Sequence, residues 1–188
     1  MYTLNALRIT ALCITSVVAL GLALLTGCQS SGQEPSTKTA PVQAVESPAG
    51  PKSGQPHLYV GAGGTLWMSW VEPMDSARHA LRYASFDGEA WSAVRTAAAG
   101  TDWFVNWADV PSLRPLPDGG MAAHYLKSSG ASVYAYDVRI AQTDEGGAWQ
   151  EAITPHDDGT PTEHGFVSLL PWEGDLLAVW LDGRNMLT

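Results

Sequence analysis

The chain has almost no cysteine: only Cys13 and Cys28 occur in 188 residues. Everything after Cys28 therefore lacks a disulfide, a thiolate metal ligand and a thiol nucleophile. A domain of this composition rests on its core alone. Basic residues are also scarce, ten Lys plus Arg against 19 Asp plus Glu, for a net charge of −9. Such a surface disfavours nucleic acid, anionic lipid headgroups and polyanionic substrates, unless a basic pocket is built locally. Aromatic residues are missing from the 28 residues Gln29–Pro56, which are rich in Ser, Pro, Gly, Gln and Thr. That composition cannot bury enough apolar surface to offset ordering entropy, so residues 28–56 read as a disordered tether. As a flexible coil it spans roughly 30 Å. All eight Trp residues lie beyond it, which places the domain boundary at His57.

What the N-terminus does have is one basic residue, Arg8, then a mostly apolar run from Ile9 to Leu25 and the sequence Leu25-Thr26-Gly27-Cys28. A weakly basic start, an apolar centre and small residues at the exit describe a secretory signal over residues 1–27. The alternative is an uncleaved anchor, since ~17 residues just span a bilayer. The ending resembles a bacterial lipobox. The resemblance implies lipidation of Cys28, membrane attachment through that lipid and, with Gln29 in place of Asp, the outer membrane. Loss of residues 1–27 leaves nine basic against 19 acidic side chains, a net of −10.

The rest of the chain repeats. Gly64, Gly119 and Gly174 are spaced by 55 residues, as are Trp70, Tyr125 and Trp180. Each glycine separates a short strand (57–61, 111–116, 166–170) from a stronger one (65–71, 120–126, 175–181). Period-two alternation puts Leu66, Met68 and Trp70 on one face, with Met121, Ala123, Tyr125 and Leu176, Ala178, Trp180 as their counterparts. Further strands are expected at 80–86, 91–95, 133–142 and 149–153. A repeat of this length, built from short apolar runs around glycine turns, marks a β-propeller blade. The expected fold is thus all-β, a propeller of four-stranded antiparallel blades. It has blades at 57–110 and 111–165 and a partial blade at 166–188, about two and a half in all. A ring needs more, so the sequence is expected to be the N-terminal part of a longer protein.

The turns Ser85-Phe86-Asp87-Gly88-Glu89-Ala90-Trp91 and Gln142-Thr143-Asp144-Glu145-Gly146-Gly147-Ala148-Trp149 resemble the Asp-box, or bacterial neuraminidase repeat, of the sialidase superfamily. The resemblance spans residues 57–188 and implies a six-bladed parent. The box is a fold element: Asp87 and Asp144 accept backbone N–H bonds, Gly88 and Gly146 take the positive-φ position, and Trp91 and Trp149 pack into the sheet.

In a propeller the ligand-facing mouth is built by the loops before each blade and after its second strand, here 72–79, 97–110, 127–132, 154–165 and 182–188. The family likeness implies an Arg cluster for a substrate carboxylate, an Asp acid/base and a Tyr nucleophile activated by Glu. Where the family places its first Arg, this chain has Asp109 and, one repeat on, His164. Asp repels the carboxylate that Arg binds. Arg184, in Asp182-Gly183-Arg184, resembles the acidic-x-Arg ending of a sialidase second strand and is the anion-binding candidate. Asp109, Glu163 and Asp182 are the candidate catalytic carboxylates. Arg184, His164, Trp103, Asn106 and Trp107 are the candidate substrate contacts, the indoles by stacking on sugar rings. His156, Asp157, Asp158, Glu163 and His164 form a dense loop whose spacing matches no specific metal motif, so no metal or cofactor is assigned. The expected function is glycan hydrolysis or glycan binding at the cell envelope, with carbohydrate or glycoconjugate as partner. The alternatives are a non-catalytic propeller that binds a protein or glycan, and metal-assisted hydrolysis by the His156–His164 loop.

Overall fold

The computed structural model describes residues 42–185. The signal-like segment, Cys28 and the first part of the tether lie outside the described residues. Among those described, no helix is long and apolar enough to cross a membrane.

Among the described residues, nine strands form three antiparallel sheets. The first sheet is β1 (Gly54–Val60), β2 (Leu66–Pro73), β3 (His79–Phe86) and β4 (Arg95–Gly100), in that order. The second is β5 (Ser112–Pro115), β6 (Met121–Ser128) and β7 (Tyr136–Gln142). The third is β8 (His164–Trp172) with β9 (Asp175–Asp182). The three sheets close no ring. The repeat glycines Gly64, Gly119 and Gly174 have φ of 84°, 88° and 91°, a left-handed conformation that a side chain disfavours. That need explains their regular recurrence between the first two strands of each unit.

Three expectations are corrected. Ordered strand begins at Gly54, so the end of the supposed tether belongs to the first sheet. The fourth strand of that sheet is Arg95–Gly100 and not 91–95; Trp91 forms an isolated bridge with Phe86. The second unit has three strands, and its expected fourth, 149–153, is reduced to isolated bridges, Thr143 with Trp149 and Ile140 with Ile153. Pro155, two residues beyond Ile153, has no N–H to donate to a continuing ladder.

The turns at 85–91 and 142–149 are each closed by an aspartate. Asp87 Oδ1 accepts the backbone N–H of Glu89 and Ala90, both at 2.8 Å, and Gly88 has φ 106°. Asp144 Oδ1 accepts the Ala148 N–H at 2.8 Å, but the positive φ (80°) belongs to Gly147 and not Gly146. Trp91 packs on Phe86 at 4.9 Å between ring centroids, and Trp149 reaches Tyr83 across the sheet interface, edge-on at 6.0 Å.

Between the first and second sheets, Leu81, Tyr83 and Ala97 meet Leu113, Met121 and Ala123. Between the second and third, Leu126, Tyr136, Val138 and Ile140 meet Leu169, flanked by Leu176, Ala178 and Trp180. Each large apolar side chain buried there contributes about 1.5–3 kcal/mol. Met68 and Trp70 pack with Ala84 on the opposite face of the first sheet, as the alternation requires. Arg114 ties the first strands of all three units together. Its guanidinium lies 4.6 Å from the centre of the Tyr59 ring, and its Nε donates to the Leu169 carbonyl at 2.9 Å. The outer face of the third sheet is open: Leu177 and Val179 are 45% and 56% exposed, whereas Ala122 and His124, one repeat earlier, are fully buried.

Candidate functional site

Two cavities occupy the same end of successive sheets. One, of about 380 Å3, lies between the end of β2 at Val71 and Pro73, the start of β3 at His79, and the Asn106–Trp107 segment. The other, of about 300 Å3, lies beyond the end of β6 at Ser129, beside Asp137 of β7 and the 154–161 segment. Each combines the end of a second strand, the start of a third and the link to the next sheet. A larger space of about 470 Å3 sits at the opposite, glycine-turn end, lined by Thr65, Gly119 and Gly147 among others. None of the predicted catalytic or substrate-contact residues lines it.

At the first cavity, Asn106 builds a tight turn. Its Oδ1 accepts the N–H of Ala108 at 2.7 Å and of Asp109 at 2.9 Å, and its carbonyl accepts a bond from Gln55 Nε2. The Asn106 amide oxygen is therefore spent on the turn. The turn displays Trp107, which is 91% exposed. An indole held this far into solvent buries nothing in the fold and presents a flat apolar face. Trp103 differs: it stacks on Tyr125 at 4.4 Å with the rings 15° from parallel, and packs against the core. It is not a free sugar platform.

The second cavity borders a dense polar cluster. His164 opens β8 opposite Asp182 of β9 and is fully buried. His156 stacks on it at 3.8 Å, with the rings 8° apart. Asp158 Oδ1 lies 3.1 Å from His156 Nδ1 and 3.2 Å from His164 Nε2. Burial pushes the Asp158 carboxyl up, but the Thr160 hydroxyl, the His164 imidazole and its other hydrogen-bond donors outweigh this and hold it at about 2. Arg184 clamps Asp182 through Nε at 2.9 Å and Nη2 at 2.6 Å, and those bonds keep the Asp182 carboxyl below its usual range. The predicted anion-binding Arg is thus already occupied by a carboxylate.

Each predicted catalytic carboxylate has a bonding partner within the fold. Asp109 is 2% exposed and accepts the Phe166 N–H with both oxygens, each at 2.9 Å. Burial raises its pKa, and the Phe166 bond only partly offsets that. Its carboxylate joins the segment before β5 to the start of β8. Glu163 accepts the hydroxyl of Tyr136, which is itself buried and stacked on Phe104 at 3.8 Å. Burial, then the Glu163 bond and charge, push the phenol up and not down, which is opposite to activation as a nucleophile. His164 is likewise too buried to contact a large substrate directly.

Sequence reasoning missed Asp137 and Tyr136. Both sit at the start of β7, inside what reads as an ordinary strand, and become site residues only because the link to β8 folds back over them. Tyr136 pairs with Glu163 in a single parallel bridge. No family model matches the chain, and no curated protein matches it either.

Proposed function

We propose that this chain is a glycan-binding module of propeller type, carried at the cell envelope, and that its recognition surface is the strand-end face bearing Trp107. The observation that supports this reading is Trp107 itself, 91% exposed beside a cavity of about 380 Å3 that His79 and Asn106 also line. Apolar sugar faces stack on such indoles, while nearby polar groups set orientation. The serial sheets, with β1, β5 and β8 bridged by Arg114, suit blades around a common axis. In that arrangement the open face of the third sheet receives a further unit. Binding is favoured over hydrolysis because Asp109 is committed to the Phe166 backbone, Asp182 to Arg184 and Glu163 to Tyr136.

Trp107→Ala tests the recognition surface. Loss of about 1.4 kcal/mol of stacking is expected to weaken binding to immobilised glycans roughly tenfold, with an unchanged circular dichroism spectrum. Undiminished affinity, or no glycan binding by the parent chain, would refute the reading. Envelope attachment is assigned to Cys28 on the lipobox likeness. Cys28→Ala is expected to move the protein from the membrane to the soluble fraction, and retention in the membrane would count against lipidation.

A further inference from the structure

Around the second cavity, two histidines present unpartnered nitrogens to one carboxylate oxygen. His156 Nε2 and His164 Nδ1 each lie 3.9 Å from Asp137 Oδ1. The His156 and His164 side chains are 5% and 0% exposed, and neither of these two nitrogens has a hydrogen-bond partner. Burying such groups unpaired is costly, so a native site of this kind calls for a partner. On the far side of the rings, Asp158 accepts from His156 Nδ1, a contact that fixes the tautomer with the Nε2 lone pair free. Asp137, Asp158 and Asp182 gather here, and Arg184 is the permanent cation within ion-pair reach of Asp158 and Asp182. The cluster thus sets three carboxylates against one guanidinium.

We propose that Asp137, His156 and His164 bind a single divalent transition-metal ion of the zinc type, with Asp158 as the positioning residue for His156. Two imidazole nitrogens and one carboxylate oxygen select zinc-type ions over calcium and magnesium, which take oxygen shells. Bonds of about 2.0–2.1 Å in a tetrahedral shell place ligand atoms roughly 3.3 Å apart. The two histidine nitrogens must therefore draw in toward Asp137 from 3.9 Å, and the stacked rings must turn out of parallel. His156 and Asp137 also line the cavity of about 300 Å3, so a fourth position opens onto space for water or a ligand group. This site stands apart from the Trp107 surface and does not depend on glycan binding.

The test is calorimetric titration of the untagged full chain with zinc, calcium and magnesium chlorides at neutral pH. One zinc per chain is expected, with a raised unfolding temperature and no comparable binding of the other two ions. Asp137 is the most exposed of the three ligands, so Asp137→Asn is the variant expected to keep the fold; it should weaken zinc at least tenfold. His156→Gln is expected to do the same. Absence of zinc binding, equal affinity for calcium, or zinc affinity unchanged in both variants would overturn the proposal. Glycan binding by the same samples reads the Trp107 surface separately, so failure of one assignment leaves the other standing.

Discussion

Gly165→Ala is expected to destabilise the protein by about 3 kcal/mol, at the upper end of overpacking effects. A Cβ on Gly165 would stand 2.1 Å from Asp109 Oδ2 and 2.9 Å from Tyr136 Cε2. Neither neighbour yields cheaply. The Asp109 carboxylate is held by the Phe166 N–H, and the Tyr136 ring is fixed by its stack on Phe104 and its bond to Glu163. Moving Asp109 exposes a backbone donor whose loss costs about 1–3 kcal/mol. A double-mutant cycle separates clash from general intolerance. Asp109→Ala removes both the acceptor and the obstacle, so the pair of substitutions should cost about 1–2 kcal/mol less than their sum. Urea unfolding at neutral pH measures all three variants. Strict additivity would show that the close approach of Asp109 is not what demands glycine.

The second large effect is on pH dependence. His124 is fully exposed to core and not to water: its relative accessibility is 0%, its Nδ1 lies 3.0 Å from Ser112 Oγ, and its Nε2 has no partner. Burial lowers its pKa from 6.5 to about 3, helped by the charges of Arg114 and His57. The native state therefore keeps a neutral imidazole while the unfolded chain takes up a proton below pH 6.5. Stability is complete above that pH and falls as pH drops through the window from 6.5 to about 3. The slope is about 1.4 kcal/mol per pH unit, so roughly 2 kcal/mol is lost between pH 6.5 and pH 5. His57, lowered by burial and by Arg114, contributes in the same direction. His124→Gln is expected to flatten the dependence of unfolding free energy on pH, whatever it does to stability at pH 7. A slope that persists unchanged would assign the effect to other groups.

The repeat was legible because its cause is local. A left-handed glycine between two strands and period-two alternation on the second strand are properties of a few consecutive residues, and Leu176, Ala178 and Trp180 pack as their spacing implies. The fourth strands were less legible. Edge pairing depends on whether a neighbour offers free backbone groups: the 91–95 and 149–153 segments read alike and both supply isolated bridges, yet only the first sheet gains a fourth strand, at Arg95–Gly100. The site residues divide in the same way. Trp107 was recognisable as an aromatic in a loop, and the His156–His164 segment as a concentration of ligands. Asp137 was hidden in a strand, and the role of Asp109 depended on a residue 57 positions away.

The sequence by itself determined an all-β chain, a 55-residue period and the faces of the second strands, because backbone conformation and side-chain alternation are set by near neighbours. Tertiary structure alone decided the chemistry. It buried Asp109 and His164 at equivalent positions of successive repeats, tied Asp182 to Arg184, left Trp107 in solvent and brought Asp137 beneath two stacked histidines. Burial and through-space contact fix what a carboxylate or imidazole can do, and both depend on residues that the sequence keeps far apart.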